Sequence, residues 1–256
     1  MKRIVVKLGT GILARPGGRT LDTAQFRRLC DEFAALVKAG HSVIVVSSGA
    51  VTAGVGALGL KDRPTDLHGK QACASIGQPL LVRQFDRNLT RHGLHTAQLL
   101  LTHDDIDSKR RRANAKNTLE RLLSVGKVVP IINENDSVAV EELNFGDNDR
   151  LSAEVALLAR ADLLVILTSA DGLLDGKGRR LKSVRSIDSA FKLVQPEKGE
   201  NSTGGMGAKL TAVKIAVTGG IETVIANGRK PGRVLGALKR KDVGTLFPAK
   251  RSKKAS

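Results

Sequence analysis

Short runs dominated by Val, Ile and Leu recur along the chain at residues 4–8, 42–46, 94–101, 128–132, 163–167 and 223–226, with a last short one at 243–247. Longer segments with helical spacing of apolar residues separate most of them. A brief apolar run without strict alternation suits a strand covered on both faces. Such strands, joined by helices, form a parallel sheet through right-handed crossovers. The chain is therefore expected to be an α/β protein with a mainly parallel open sheet. No internal repeat and no linker divides it into independent units.

The helical segments have recognisable ends. Phe26, Leu29, Phe33, Leu36 and Val37 share one face, Thr20 or Asp22 can cap the start, and Gly40 closes the helix. Residues 50–58 and 66–91 read as helices, the second broken or bent near Pro79. Residues 104–107 read as a polar turn. Residues 113–125 read as a helix with Leu119, Leu122 and Leu123 inward. Residues 138–145 read as a hairpin, 151–161 as a helix, and a short helix follows from Asp188. Asp149 is a candidate N-cap. Leu210, Val213 and Val217 mark one face of a further helix.

Composition excludes several classes. The 256 residues are 41% hydrophobic, enough for a large core. No apolar run approaches membrane-spanning length. Lys7 interrupts the first apolar run, so no signal-peptide core follows Met1-Lys2-Arg3, and a cytoplasmic protein is expected. Cys30 and Cys73 form no C-x-x-C pair and read as small buried hydrophobes. The five histidines show no metal-ligand spacing. A net charge of +17 raises nucleic-acid binding as a possibility. Aromatics are only 2%, with no Trp or Tyr, so stacking platforms are almost absent and a nucleic-acid partner is not favoured. Lys109-Arg110-Arg111-Arg112 and the basic tail, residues 248–256, read as solvated surface.

Polar clusters sit where the apolar runs stop. Lys7 is followed by Gly9-Thr10-Gly11, and residues 47–50 are Ser-Ser-Gly-Ala. Small residues at a strand end leave backbone N–H groups open to an anion. Asn133-Glu134-Asn135-Asp136 ends another run, and a buried cluster of this polarity calls for a ligand. Gly146-Asp147-Asn148-Asp149 precedes a helix with more polar groups than a cap requires. Ser202 to Lys209 is a Gly-rich stretch with a lysine in the first helical turn. In a parallel sheet these clusters converge on one edge, where ligands bind in open α/β folds. Two lysines and open amides there suit phosphates, and acid and amide groups suit an ammonium- or hydroxyl-bearing co-substrate. The chemistry implied is phosphoryl transfer, which depends on alignment and charge neutralisation.

Taken together and in order, residues 6–10, 47–50, 132–136, 146–149 and 203–206 resemble the amino acid kinase family, over residues 4–247. The clusters at 133–136 and 146–149 are most similar to those of members that phosphorylate the side-chain carboxylate of glutamate, the first step of proline synthesis. The resemblance implies a three-layer αβα sandwich, a kinase domain over residues 1–247, and ATP and Mg²⁺ as reaction partners. It implies that Lys7 and Lys209 flank the transferring phosphoryl group and that Asp149 orients both. Gly9 and Gly49 would donate N–H groups to phosphate. Ser48, Gly49, Asp136 and Asn148 would line the glutamate site. Thr168, Ser169, Thr203, Gly204, Gly205, Met206, Gly207, Ala208 and Lys209 would hold ATP. A homo-oligomer (dimer or tetramer) and feedback inhibition by proline are implied in the same way. Ser169 stands where many members carry Asp, and Gly207 and Ala208 where many carry hydroxyls. Many glutamate-specific members also carry a C-terminal RNA-binding-like PUA domain, for which this sequence is too short. Competing readings are an acetylglutamate, uridylate or carbamate kinase, and a basic nucleic-acid-binding protein on a kinase scaffold.

Overall fold

The structure is a computed structural model and describes residues 1–18, 20–139, 147–194 and 205–250. Among these residues seven strands form one sheet: β1 (Arg3–Leu8), β2 (Ser42–Ser47), β3 (His95–Leu101), β4 (Val128–Glu134), β5 (Leu163–Thr168), β6 (Glu222–Asn227) and β7 (Gly244–Phe247). Their spatial order is β3-β4-β2-β1-β5-β6-β7. Every pairing is parallel except β6 with β7. The chain leaves β1 toward β2 on one side and later returns to place β5 on the other. The change of direction opens a crevice at the C-terminal ends of β1 and its neighbours.

Among the described residues, ten helices cover the sheet: α1 (Thr10–Leu13), α2 (Thr23–Lys38), α3 (Ala50–Ala57), α4 (Leu67–Thr90), α5 (His103–Asp107), α6 (Lys109–Ser124), α7 (Asp147–Leu158), α8 (Ile187–Phe191), α9 (Met206–Thr218) and α10 (Arg233–Leu238). Alternation along the strands divides the core in two. Ile4, Val6, Val43, Val45 and Val165 face Phe26, Phe33, Leu81 and Phe85 of α2 and α4. Val5, Ile44, Val46, Leu164 and Ile166 face Leu119, Val155 and Val213 of α6, α7 and α9. The result is the expected three-layer αβα sandwich. Lys7 is two residues beyond Val5, so it points into the α7/α9 layer.

Local chemistry explains the element ends. The Asp22 side chain accepts a hydrogen bond from Gln25 N at 3.1 Å and caps α2, so the cap is Asp22 rather than Thr20. Gly40, at φ 83°, closes that helix as expected: Gly40 N donates to Val37 O and His41 N to Leu36 O. Both cysteines are free and buried.

Four expectations are corrected. Residues 104–107 belong to helix α5, not to a turn, because Thr102 and Asp105 form a reciprocal capping box. Helix α6 begins at Lys109, four residues early, because Ser108 caps it; the basic run 109–112 is therefore helical. Helix α4 runs unbroken through Pro79. After β1 the chain enters the short helix α1 directly, with Gly9 as its N-cap. Asp149 is not an N-cap: α7 already begins at Asp147, which frees the Asp149 carboxylate for other partners. The expected hairpin at 138–145 falls from residue 140 onward outside the described residues, as does the tail from residue 251.

Candidate active site

The site forms where β1, β2, β4 and β5 end. Lys7 is the penultimate residue of β1, in register with Val46 and Ile166. Its ammonium lies 2.6 Å from Asp149 Oδ1. The other oxygen of the same carboxylate, Oδ2, accepts a hydrogen bond from Lys209 Nζ at 3.3 Å. Asp149 is in the first turn of α7, and Lys209 is in the first turn of α9. Two helices and the central strand thus bring three charges together. All three side chains are nearly out of water: Lys7 is 5% exposed, Lys209 7% and Asp149 0%.

Burial holds the Lys7 ammonium below the usual lysine range; Asp149 opposes that shift and Lys209 adds to it. Lys7, Lys209 and Asp149 thus set two cations around one carboxylate. Ser152 Oγ donates to the Asp149 carbonyl at 2.6 Å and ties down the start of α7. Gly9 begins α1 in an extended conformation, and a β-carbon on it would lie 3.5 Å from Lys7 Nζ. Glycine there keeps the approach to the ammonium open.

The neighbouring residue on α7 serves another set of groups. Asn148 Nδ2 donates to Ser48 Oγ at 3.0 Å and to Asn133 Oδ1 at 3.1 Å. Asn133, the penultimate residue of β4, donates in turn from Nδ2 to Gln78 Oε1 on α4 at 2.8 Å. Ser48 is held by its own backbone, with Ser48 N donating to Leu8 O. Gly49 follows at φ 109°, a left-handed conformation that favours glycine, and starts α3. Asp136 lies half-buried in the turn after β4. Thr168 ends β5, with its carbonyl accepting from Gly228 N, and Ser169 is exposed just beyond. Gly205 is the N-cap of α9, and Met206, Gly207 and Ala208 make its first turn with Lys209. Thr203 and Gly204 lie outside the described residues.

The structure therefore unites Lys7, Asp149 and Lys209 in one cluster and Ser48 and Asn148 in an adjoining one. The sequence did not single out Gln78 or Gln71. Gln71 Nε2 donates to Ala139 O at 3.3 Å, so two amides of α4 hold the chain on either side of Asp136. Gln71 and Gln78 are one i, i+7 pair on a helical face, which is a usable signal once the neighbour of that face is known. Among the described residues, no group of three His, Cys, Asp or Glu side chains is placed to hold a metal ion. No described helix is long and apolar enough to cross a membrane.

Comparison with known proteins agrees with this geometry. A glutamate 5-kinase of Trichlorobacter lovleyi is 46% identical over 254 residues, covering 96% of this chain and 67% of the relative. Glutamate 5-kinases of Thermus thermophilus and Myxococcus xanthus are 44% and 43% identical, covering 98% and 100% of this chain and 68% and 69% of those proteins. The model of the amino acid kinase family matches residues 2–227, a span that includes all three charged residues of the cluster. The chain belongs to the amino acid kinase family.

Proposed function

We propose that this protein transfers the γ-phosphoryl group of ATP to the side-chain carboxylate of L-glutamate, giving L-glutamyl 5-phosphate and ADP for proline biosynthesis. The observation that carries the reading is one buried carboxylate, Asp149, between two ammonium groups, with Asn148 beside it reaching Ser48. The likeness to glutamate 5-kinases over nearly the whole chain supports the choice of substrate.

A glutamate carboxylate oxygen attacks the γ-phosphorus of ATP; the bond to the β,γ-bridging oxygen breaks, and ADP leaves with that electron pair. The carboxylate is already ionised at neutral pH, so no general base is required. Lys7 and Lys209 sit where negative charge gathers on the moving group and on the leaving oxygen. At an effective dielectric near 20, one unit charge about 4 Å away contributes roughly 4 kcal/mol. Because Asp149 fixes both ammonium groups in advance, little reorganisation is needed as charge moves. Both Asp149 oxygens are engaged by lysines, and the described residues offer no carboxylate cage. Mg²⁺ would accompany ATP as the MgATP substrate, and no step is derived through a protein-bound metal.

The remaining assignments follow the same reading. Gly9 and Gly49 offer N–H groups to phosphate; Ser48, Asp136 and Asn148 hold glutamate; Thr168, Ser169 and residues 203–209 hold the nucleotide. The cytoplasm, a homo-oligomer and inhibition by proline belong to the proposal as well. Hydroxylamine trapping of the acyl phosphate tests it: ATP and L-glutamate should give the hydroxamate and an equivalent of ADP. Faster ADP release with N-acetylglutamate, UMP or carbamate would replace the substrate. Salt-dependent RNA binding with no turnover would replace the function.

A further inference from the structure

We infer that Gln78, a helix residue outside the charged cluster, sets the direction of the hydrogen-bond relay in the site and thereby selects substrates with a free α-ammonium group. The inference rests on the glutamate reading above and concerns how that substrate is told from its analogues.

The relay runs through four side chains: Gln78, Asn133, Asn148 and Ser48. A side-chain amide is two-faced, with an acceptor oxygen and a donor nitrogen. Its orientation in a chain of amides is decided by the end groups. Gln78 Oε1 accepts from Asn133 Nδ2. Asn133 must then present its oxygen to Asn148. Asn148 must present its nitrogen, whose two protons go to Asn133 Oδ1 and Ser48 Oγ.

Two consequences follow at the far end. Asn148 Oδ1 is buried and has no hydrogen-bond partner. It is an acceptor available for a donor that the protein does not supply. Ser48 Oγ already accepts from Asn148, so its own proton is free to donate. One acceptor and one donor on adjacent side chains complement an α-amino acid, which brings an ammonium donor and a carboxylate acceptor. If the relay ran the other way, Ser48 would donate to Asn148 Oδ1, and the acceptor offered to the ammonium would be lost.

Gln78 ends the relay as an acceptor: Oε1, not Nε2, faces Asn133 Nδ2. It is 8% exposed on α4, next to Gly77, which packs against the first residue of α3. Its Nε2 is buried and makes no hydrogen bond, so the bond accepted from Asn133 is the contact through which Gln78 enters the relay. An acceptor is the only function the relay asks of it. A buried polar network of this kind is sensitive at every link, since an unsatisfied member costs as much as a lost bond.

The test is equilibrium binding of L-glutamate and of glutarate, which lacks the ammonium, to the whole chain and to two variants. Gln78→Met removes the acceptor and Gln78→Glu keeps it without a competing donor. Wild type should favour glutamate. Gln78→Met should shrink that preference about tenfold, roughly the effect of one hydrogen bond. Affinity for a non-hydrolysable ATP analogue should not change, and Gln78→Glu should restore the preference. An unchanged preference in Gln78→Met, or a Gln78→Glu variant that loses it, would overturn the inference. Should Gln78→Met fail to fold, Gln78→Glu alone decides in the same way. A wild type without preference for glutamate would instead refute the substrate reading.

Discussion

Gly77 of α4 lies against Ala50 of α3 so closely that a β-carbon on it would sit 1.8 Å from the Ala50 carbonyl oxygen. Gly54 meets Cys73 in the same way, with 1.9 Å left to the Cys73 carbonyl oxygen. The two helices touch backbone to backbone, and this brings Gln78 within reach of the strand ends. Gly77→Ala or Gly54→Ala must push the helices apart. Each should destabilise the protein by about 3 kcal/mol, the upper range for overpacking, as a lower urea midpoint at unchanged slope. Gly11→Ala, where a β-carbon meets nothing within 4 Å, is the control and should be neutral or slightly stabilising.

Lys7→Met and Lys209→Met should each lower kcat for hydroxamate formation by about two to three powers of ten, from partial loss of transition-state charge stabilisation. Their effects should not add, because both ammonium groups act through one carboxylate and one phosphoryl group. Near-normal turnover in either variant would refute the mechanism. Asp149→Ala differs in kind: it removes the carboxylate that faces the buried Lys7 ammonium at 2.6 Å. It should lose about 3–5 kcal/mol of stability besides activity, visible in thermal unfolding.

The lowered Lys7 pKa has two signs to check. Activity needs the charged form, so kcat should fall on the alkaline side at a pH below the usual lysine range. Stability runs the other way. Between the folded and unfolded pKa the unfolded chain binds more protons at this residue, so its contribution rises with pH there. Urea titrations at several alkaline pH values should show that rise in wild type and not in Lys7→Met.

Glu154, midway along α7, accepts from Arg150 Nε at 2.8 Å and lies 2.8 Å from His103 Nδ1. Burial pushes its carboxyl upward, but the His103 hydrogen bond and charge, with Arg150, bring it below the usual glutamate value. A depressed carboxylate stabilises the fold above its unfolded pKa, and the contribution is lost as pH falls through the folded one. Glu154→Gln should cost about 1.5–3 kcal/mol at neutral pH. It should narrow that gap to wild type as the solution is acidified below the usual glutamate pKa, which a pH series of unfolding midpoints measures.

Both cysteines lie in the core, and burial pushes the Cys30 thiol up to about 12. An exposed thiolate is required for alkylation. Iodoacetamide should therefore leave Cys30 unmodified in the folded protein at pH 8 and label it in urea, as read by intact mass.

The sheet was legible because its central strands are apolar on both faces, so their positions stand out in composition alone. The convergence of Lys7, Asn133, Asn148 and Asp149 followed from parallel topology, which puts the C-terminal ends of β1 to β6 on one edge. Helix α5 was not legible as a helix, since its residues are mostly polar and its stability comes from a capping box between Thr102 and Asp105. Asp149 looked like a cap because helix starts are read from residue type, whereas the start of α7 lies two residues earlier. Gln78 was invisible for another reason. It sits in a helix of weak amphipathic pattern, and its partner Asn133 is 55 residues away.

Asn148 and Asp149 are consecutive on α7, yet one addresses the amide relay and the other the lysines. In the reading proposed above, a single peptide bond joins the group that recognises the acceptor to the group that arranges the charges. Substrate choice and turnover are therefore mechanically linked: any change that rotates the first turn of α7 alters both together. A lineage could not acquire a new acceptor through this turn while keeping its rate untouched.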